Sequence, residues 1–379
     1  MNIYSSILDS FWSPKIWLPP NITWADLVPN EKIQYTDHRH LYYPLPMAFV
    51  MLILRYLLER NIFAPFGLYL GIKASKSKKV PYNELLERAF KNNSKMSYKE
   101  VATIAKQTDM SERQIERWLR LRRAQDKPST LIKFCENSWR CSYYTYSFLY
   151  GIWCLWDKPW LWNIDECWTN YPHQSITSDC WWYYMISLSF YWSLAISQFR
   201  DVKRKDFWQM FVHHIATILL MAFSWVCNLI RVGTLVLLVH DCADIFLEAA
   251  KMAKYANYQK VCDAFFGIFT IIWLITRLVV FPCWILYSTT IRAPRIVNTM
   301  FPAYYFFNGL LLLLLALHIF WTNLILKIAY NAIATGQMEG DIRSSSSEEY
   351  LMLQQILPIQ RQSNYIFQEN CMPRSERRL

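Results

Sequence analysis

The chain has 379 residues, of which 54% are hydrophobic and 17% aromatic, with only eight glycines and a formal net charge of +11. Soluble globular domains and highly charged disordered chains have a different balance, so both are excluded and the chain falls in the membrane class. Ten cysteines are scattered without metal-ligand spacing, and most of the basicity lies in residues 59–140, where it fits an anionic membrane face before it fits nucleic acid.

Residues 1–40 begin with polar and aromatic side chains and lack the basic start and apolar core of a cleavable signal peptide, so the first span, 41–58, is expected to serve as its own anchor. Asn21-Ile22-Thr23 is an acceptor triplet, and Asn21 is expected to carry a glycan if residues 1–40 are lumenal. Residues 73–128 show three helical patterns: "YNELLERAF", "SYKEVATIAKQT" and "ERQIERWLRLRR". Ser111 caps the last, and Asp109-Met110 forms the turn before it. On that last helix Arg120, Arg122 and Arg123 read either as a phosphate, lipid-headgroup or coenzyme A contact or as a plain solvated basic face.

Nearly uncharged segments follow at 139–156, 180–199, 207–230, 232–250, 264–287 and 301–326, most near the ~20 residues that cross a bilayer. With 41–58 these predict an all-α integral membrane protein of about seven transmembrane helices, six of them within 131–330. The weakest is 139–156, with Arg140 at its mouth, and 232–250 carries Asp241, Asp244 and Glu248. The connections set the orientation. Residues 59–140 hold 18 Lys/Arg against 9 Asp/Glu, and 200–206 and 251–260 are also basic, which assigns them to the cytosol. The N-terminus is then lumenal and the tail, 331–379, is a disordered cytosolic segment. Cys167 and Cys180 share a lumenal connection and are either a disulfide or two free thiols. In the tail, "SSSSEE" sets Ser345 and Ser346 three residues before acids, the pattern of an acidic-directed kinase site or of an unmodified polar tract.

His213 and His214 lie inside the uncharged run 207–230, and ionisable groups in a lipid-spanning helix are costly and functional by default. His213 is six residues in from the cytosolic mouth of one span, and Asp244 six in from that of the next, so both sit roughly 9 Å deep at 1.5 Å per residue. Asp241 is one turn deeper, and His240 lies four before Asp244. Adjacent helical residues diverge by about 100°, so one histidine should be chemical and the other supporting. Three readings stay open: a catalytic His–Asp cluster, polar groups that only bond helices together, and a metal site. The last lacks the tight spacing of metal signatures, so no metal is expected. For catalysis, imidazole beside carboxylates suits acyl transfer as nucleophile or general base. The basic rim of Lys203, Arg204 and Lys205, with Lys251 and Lys254 opposite, suits a polyanionic carrier such as coenzyme A, or is ordinary positive-inside anchoring.

The stretch 201–255, "DVKRKDFWQMFVHHIATILLMAFSWVCNLIRVGTLVLLVHDCADIFLEAAKMAKY", resembles the Lag1 motif of ceramide synthases within the TRAM–Lag1–CLN8 region. Similarity continues through "WLPPNITWADL", "RWLRLRRAQDKPSTLIKFCENSWR" and "DKPWLW", leaving only the tail after about 350 unplaced, and "KQTDMSER" with "RAQDKPSTL" resembles the insect type. The resemblance implies an endoplasmic-reticulum membrane enzyme that transfers a fatty acyl group from acyl-CoA to the amine of a sphingoid base, sphinganine or sphingosine. It implies no permanently bound cofactor, and pairing with related synthases as a homo- or heterodimer. By the same resemblance His213 and His214 are the essential pair, with the first taking the acyl group, and Asp241 and Asp244 are the essential acids. The segment Ser288–Asn298, with Ser288, Arg292, Arg295 and Asn298, would be the lumenal connection that selects acyl length.

Residues 73–128 resemble the homeobox-like domain of most animal members. The position of a homeodomain's adenine-reading Asn is Leu121 here, and the usual aromatic after the Trp is Leu119. Sequence-specific nucleic-acid binding is therefore not expected. The rival reading is a membrane-tethered, lipid-sensing regulator acting through that domain. The intact histidines and aspartates argue against it, as does Leu121.

Overall fold

The computed structural model describes residues 7, 9–29, 33–74, 80–93, 96–126, 128–202 and 204–335. Lys203, Ser345, Ser346 and residues 336–379 of the tail lie outside the described residues, while residues 331–335, expected to be disordered with it, are the helical end of the last long helix. Among those described there is no strand, and the chain is a bundle of long helices with a small helical unit inserted after the first.

The first long helix, α1 (His38–Tyr69), opens where the Asp37 side chain accepts the Arg39 amide at 2.8 Å. The sequence predicts its end at 58, before Glu59 and Arg60, yet the helix runs on. Arg55 pairs with Glu59 one turn ahead at 2.7 Å and with Asp201 at 2.8 Å, so the charges are matched within the protein.

Three short helices follow: α2 (Glu84–Asn92), α3 (Tyr98–Thr108) and α4 (Glu112–Asp126). A capping box between Ser97 and Glu100 starts α3, and Asp109 turns the chain out of it in the left-handed region, at φ 52°. Leu86, Phe90, Val101, Ile115, Trp118 and Leu119 form a core of their own, so Leu119 is an interior residue of the unit. Arg122, read from sequence as an available cation, is withdrawn: it meets Glu87 at 2.8 Å and Asp126 at 2.5 Å, with its guanidinium 5.0 Å from the Phe90 ring centre. Arg123 turns back on the Leu119 carbonyl, while Arg113, Arg117 and Arg120 stay exposed.

The bundle continues as α5 (Thr130–Leu155), α6 (Ser178–Ser197), α7 (Phe207–Val226), α8 (Ile230–Tyr255), α9 (Gln259–Val297) and α10 (Pro302–Thr335). By length and composition α1, α7, α9 and α10 can cross a membrane. The helices α5, α6 and α8 cover the other expected spans but carry buried polar groups, among them Glu136, Ser189, Asp241 and Glu248, which lower their hydropathy. Such groups are tolerated because they face the bundle and not lipid. α8 sits centrally, packed on α5 and α9, and fully buried Tyr183, Tyr184, Phe190 and Trp225 fill the space between α5, α6, α7 and α8.

The expected lumenal connection Ser288–Asn298 is instead the end of α9. The helix is π-wound over Leu274–Leu286 and Ser288–Arg292, and the wider turn accommodates Pro282 inside it. It stops only at Asn298, in the left-handed conformation at φ 62°.

Two outcomes follow from this packing. A Cβ added to Gly151 on α5 would lie 2.6 Å from the Tyr183 hydroxyl, inside the core, so Gly151→Ala should destabilise the bundle by about 1–3 kcal/mol, read as a lower thermal midpoint in detergent. In the small unit, the hydrogen bonds from Arg122 hold the Glu87 carboxyl below its ordinary 4.5. A depressed folded-state value stabilises above the unfolded one and is lost as pH falls through the folded value. Amide-exchange protection over 84–126, corrected for intrinsic rate, should therefore fall with acidification below 4.5 in the wild type. Glu87→Gln should start lower at neutral pH and lose less.

Candidate active site

α7 presents two consecutive histidines that do different things. His214 is buried, with Nδ1 2.9 Å from Gln198 Oε1, and the other end of that amide donates to the Phe207 carbonyl at 2.8 Å. The Phe207 carbonyl fixes the amide orientation, so Oε1 faces His214 and Nδ1 of His214 is the donor. His213 turns the other way, edge-on to the Trp321 ring on α10 with centroids 5.5 Å apart. Its Nδ1 is buried and has no hydrogen-bond partner. Trp321 is in turn held by its indole N–H on Asp206 at 3.1 Å, just before α7 begins.

The two aspartates also diverge. Asp244 borders the same cavity as both histidines, with Arg277 of α9 3.6 Å away. Asp241 is 2% exposed and accepts the Ser147 hydroxyl of α5 at 2.5 Å, and it borders neither cavity. The expectation that both carboxylates face the imidazoles thus holds for the placement of Asp244 and not of Asp241, because three residues along a helix leave a rotation of about 60° between them. Arg277 also donates to the Val239 and His240 carbonyls at 3.1 and 2.7 Å. His240 Nδ1 lies 2.6 Å from the Val236 carbonyl, and its Nε2 is 3.1 Å from Nε2 of His318 on α10.

Two cavities meet at this cluster. The polar one, about 1500 Å³ including its mouth, is bordered by His213, His214, Asp244, Arg277 and His318, and at its charged end by Arg140, Arg204, Glu248 and Lys251. The apolar one, about 920 Å³, runs between α7, α8 and α10. His213, His240 and Tyr191 line both.

Of the expected basic rim, Arg204 and Lys251 border the polar cavity; Lys251 is buried and paired with Glu248 at 2.6 Å, and Arg204 is 3.8 Å from Glu136. Lys205 and Lys254 do not border it, and Lys254 donates to Gln259 at 2.8 Å. Arg140, read from sequence only as a flaw in a span, does border it, ion-paired with Glu136 and Asp201. Ser288 is buried behind Trp168, Arg292 reaches Asp165, and Arg295 and Asn298 are exposed. Asn21 is exposed in a turn at φ 68°. Cys167 and Cys180 are both free thiols; Cys180 faces Cys154 at 3.5 Å, because the first turn of α6 packs against the end of α5.

Arg277 and His318 were missed, although each is the one ionisable group inside its otherwise uncharged run, 264–287 and 301–326.

An all-helical membrane protein with this cluster is matched over residues 133–327 by the TLC domain model, TRAM/LAG1/CLN8, and over 81–128 by the homeodomain model. Ceramide synthase 5 of Homo sapiens is 45% identical over 343 residues, 89% of this chain and 87% of that protein. Human ceramide synthase 4 is 42% identical over 94% of this chain and 91% of its own length, and ceramide synthase hyl-1 of Caenorhabditis elegans 34% over 89% and 84%. The chain belongs to the ceramide synthase family.

Arg277 is the hinge of the cluster's charge balance. Arg277→Met should cost about 3–5 kcal/mol of stability, because it strips the cation from beside a carboxylate inside the bundle. Adding Asp244→Asn should restore part of that loss in a thermal unfolding series.

Proposed function

We propose that the chain is an acyl-CoA-dependent sphingoid-base N-acyltransferase of the endoplasmic-reticulum membrane, with a lumenal N-terminus, seven spans and a cytosolic tail. The division into a first span at 41–58, a cytosolic unit at 73–128 and a six-span catalytic region at 131–330 belongs to the same reading. The observation that carries it is the position of His213 on the wall of both cavities. A fatty acyl thioester has a polyanionic end, a carbonyl and a long apolar end, in that order. Arg140 and Arg204 at the charged end suit the phosphates, the apolar cavity suits the chain, and the junction suits the carbonyl.

In the first step an imidazole nitrogen of His213 attacks the thioester carbonyl. The C–S bond breaks, coenzyme A leaves as the thiolate and takes up the N–H proton that the acylated imidazole gives up, and a neutral acyl-imidazole remains. In the second step the amine of the sphingoid base attacks that carbonyl, the C–N bond to the imidazole breaks and the amide forms. Asp244 accepts the proton the amine loses and passes it to the departing imidazole, so His213 is released with its N–H restored. His214, locked on Gln198, orients α7, and Asp241, bonded to Ser147, fixes α8 against α5. No permanently bound cofactor has a part in these steps. The regulator reading draws no support from the relatives.

Purified protein given acyl-CoA alone should release coenzyme A in roughly one equivalent per site and gain one acyl mass, both lost in His213→Ala. Protein that stays unmodified yet turns over rapidly once the base is added would make His213 a general base in a direct attack.

A further inference from the structure

The lining residues give the apolar cavity a direction and an end. On α7 they are His213, Thr217, Leu220, Met221 and Ser224, one face descending over eleven residues, or about 16 Å. On α8, running antiparallel, the face from His240 back to Leu229 covers the same depth. The cavity therefore leads away from His213 toward the far side of the bundle, and there the connection between α5 and α6 closes it with Trp168 and Tyr171.

Trp168 is 6% exposed, and its indole N–H is donated to the Ser288 hydroxyl on α9 at 2.8 Å. An indole has two side-chain torsions and a large rigid face, so once its N–H is fixed it is a hard stop for whatever fills the space before it. The same connection is tied to α9 a second time, where Arg292 Nε meets Asp165 at 2.9 Å. Within the Ser288–Asn298 segment Thr289, Ala293 and Val297 line the cavity wall and Ser288, Arg292, Arg295 and Asn298 do not, while Trp168 lines it from the connection between α5 and α6.

We propose that Trp168 is the floor of the acyl cavity and the residue that measures chain length, with Ser288 and Arg292 acting through it as positioning residues. This rests on the acyltransferase reading. Its consequence is that length selection belongs to a contact between the α5–α6 connection and the end of α9, and not to the Ser288–Asn298 segment alone. Replacing the indole by a methyl group extends the cavity along its axis, and a longer chain can enter. Freeing the indole by removing the Ser288 hydroxyl lets the floor yield without adding space.

The test is a competition: purified full-length protein with a sphingoid base and an equimolar ladder of saturated acyl-CoAs, with ceramide products resolved by mass. Trp168→Ala should raise the long-to-short product ratio by at least about tenfold, the scale at which an apolar pocket discriminates one methylene. Ser288→Ala should shift it in the same direction by less. The ratio is internal to each preparation, so a partly misfolded variant lowers its total product and leaves the ratio readable. If Trp168→Ala yields no product, Ser288→Ala and Trp168→Phe decide in its place. Exchanging Ser288–Asn298 for a relative's segment should move the ratio in the wild type and move it less in Trp168→Ala, the part carried through the indole being lost and the part carried by the lining residues Thr289, Ala293 and Val297 remaining. An unchanged ratio in every Trp168 and Ser288 variant that makes ceramide would overturn the proposal. A wild-type enzyme that makes no ceramide would overturn the acyltransferase reading instead.

Discussion

An arginine with 2% of its surface exposed, inside a helix whose other residues are almost all apolar, has to be neutralised by the protein around it. Arg277 spends its donors on the Val239 and His240 carbonyls and sets its charge 3.6 Å from Asp244, while its guanidinium lies 5.0 Å from the Trp273 ring centre. All of these partners except Trp273 are on α8. The one residue thereby fixes the rotation of α8 relative to α9, and with it which carboxylate looks into the cavity. His240, whose carbonyl is bonded, is held in line with His318 of α10. Three helices are keyed together by the need to satisfy one buried cation. A comparable network borders the charged end of the polar cavity, where Arg55, Asp201, Arg140 and Glu136 join α1, α5 and the connection after α6. Buried pairs of this sort contribute little net stability compared with apolar packing, but they penalise every arrangement that leaves one partner alone.

Much of this was legible in the sequence, for reasons that are also physical. Uncharged runs mark helices in a bundle of this kind because backbone groups out of water must bond within their own segment. Capping chemistry marked the small unit, where Ser111 accepts the Gln114 amide at the start of α4 and Asp109 makes the turn before it. The depth match between His213 and Asp244 needed only the rise of a helix. What stayed hidden was rotation. A register count cannot say that Asp241 turns to Ser147 while Asp244 turns to the cavity, since that is set by which neighbours α8 packs against. The winding of α9 was hidden too: the polar "STTIR" after the span 264–287 reads as a connection, yet the helix runs through it, as through Pro282, by widening its turns. Arg122 and Lys251 show the same limit for charge, because each looks available in sequence and each is taken up by an acid on the page of the fold.

The histidine pair is where these constraints meet chemistry. His214 is spent on structure: its ring is buried and its Nδ1 is committed to Gln198, which itself closes onto the start of α7. That commitment is what frees its neighbour. With α7 locked in rotation by His214, the next side chain is carried about 100° away, onto the wall between a charged cavity and an apolar one. Among the described residues the buried Nδ1 of His213 has no hydrogen-bond partner. One histidine is satisfied so that the other need not be, and the doubled motif "HH" encodes that division more economically than two residues drawn from separate helices.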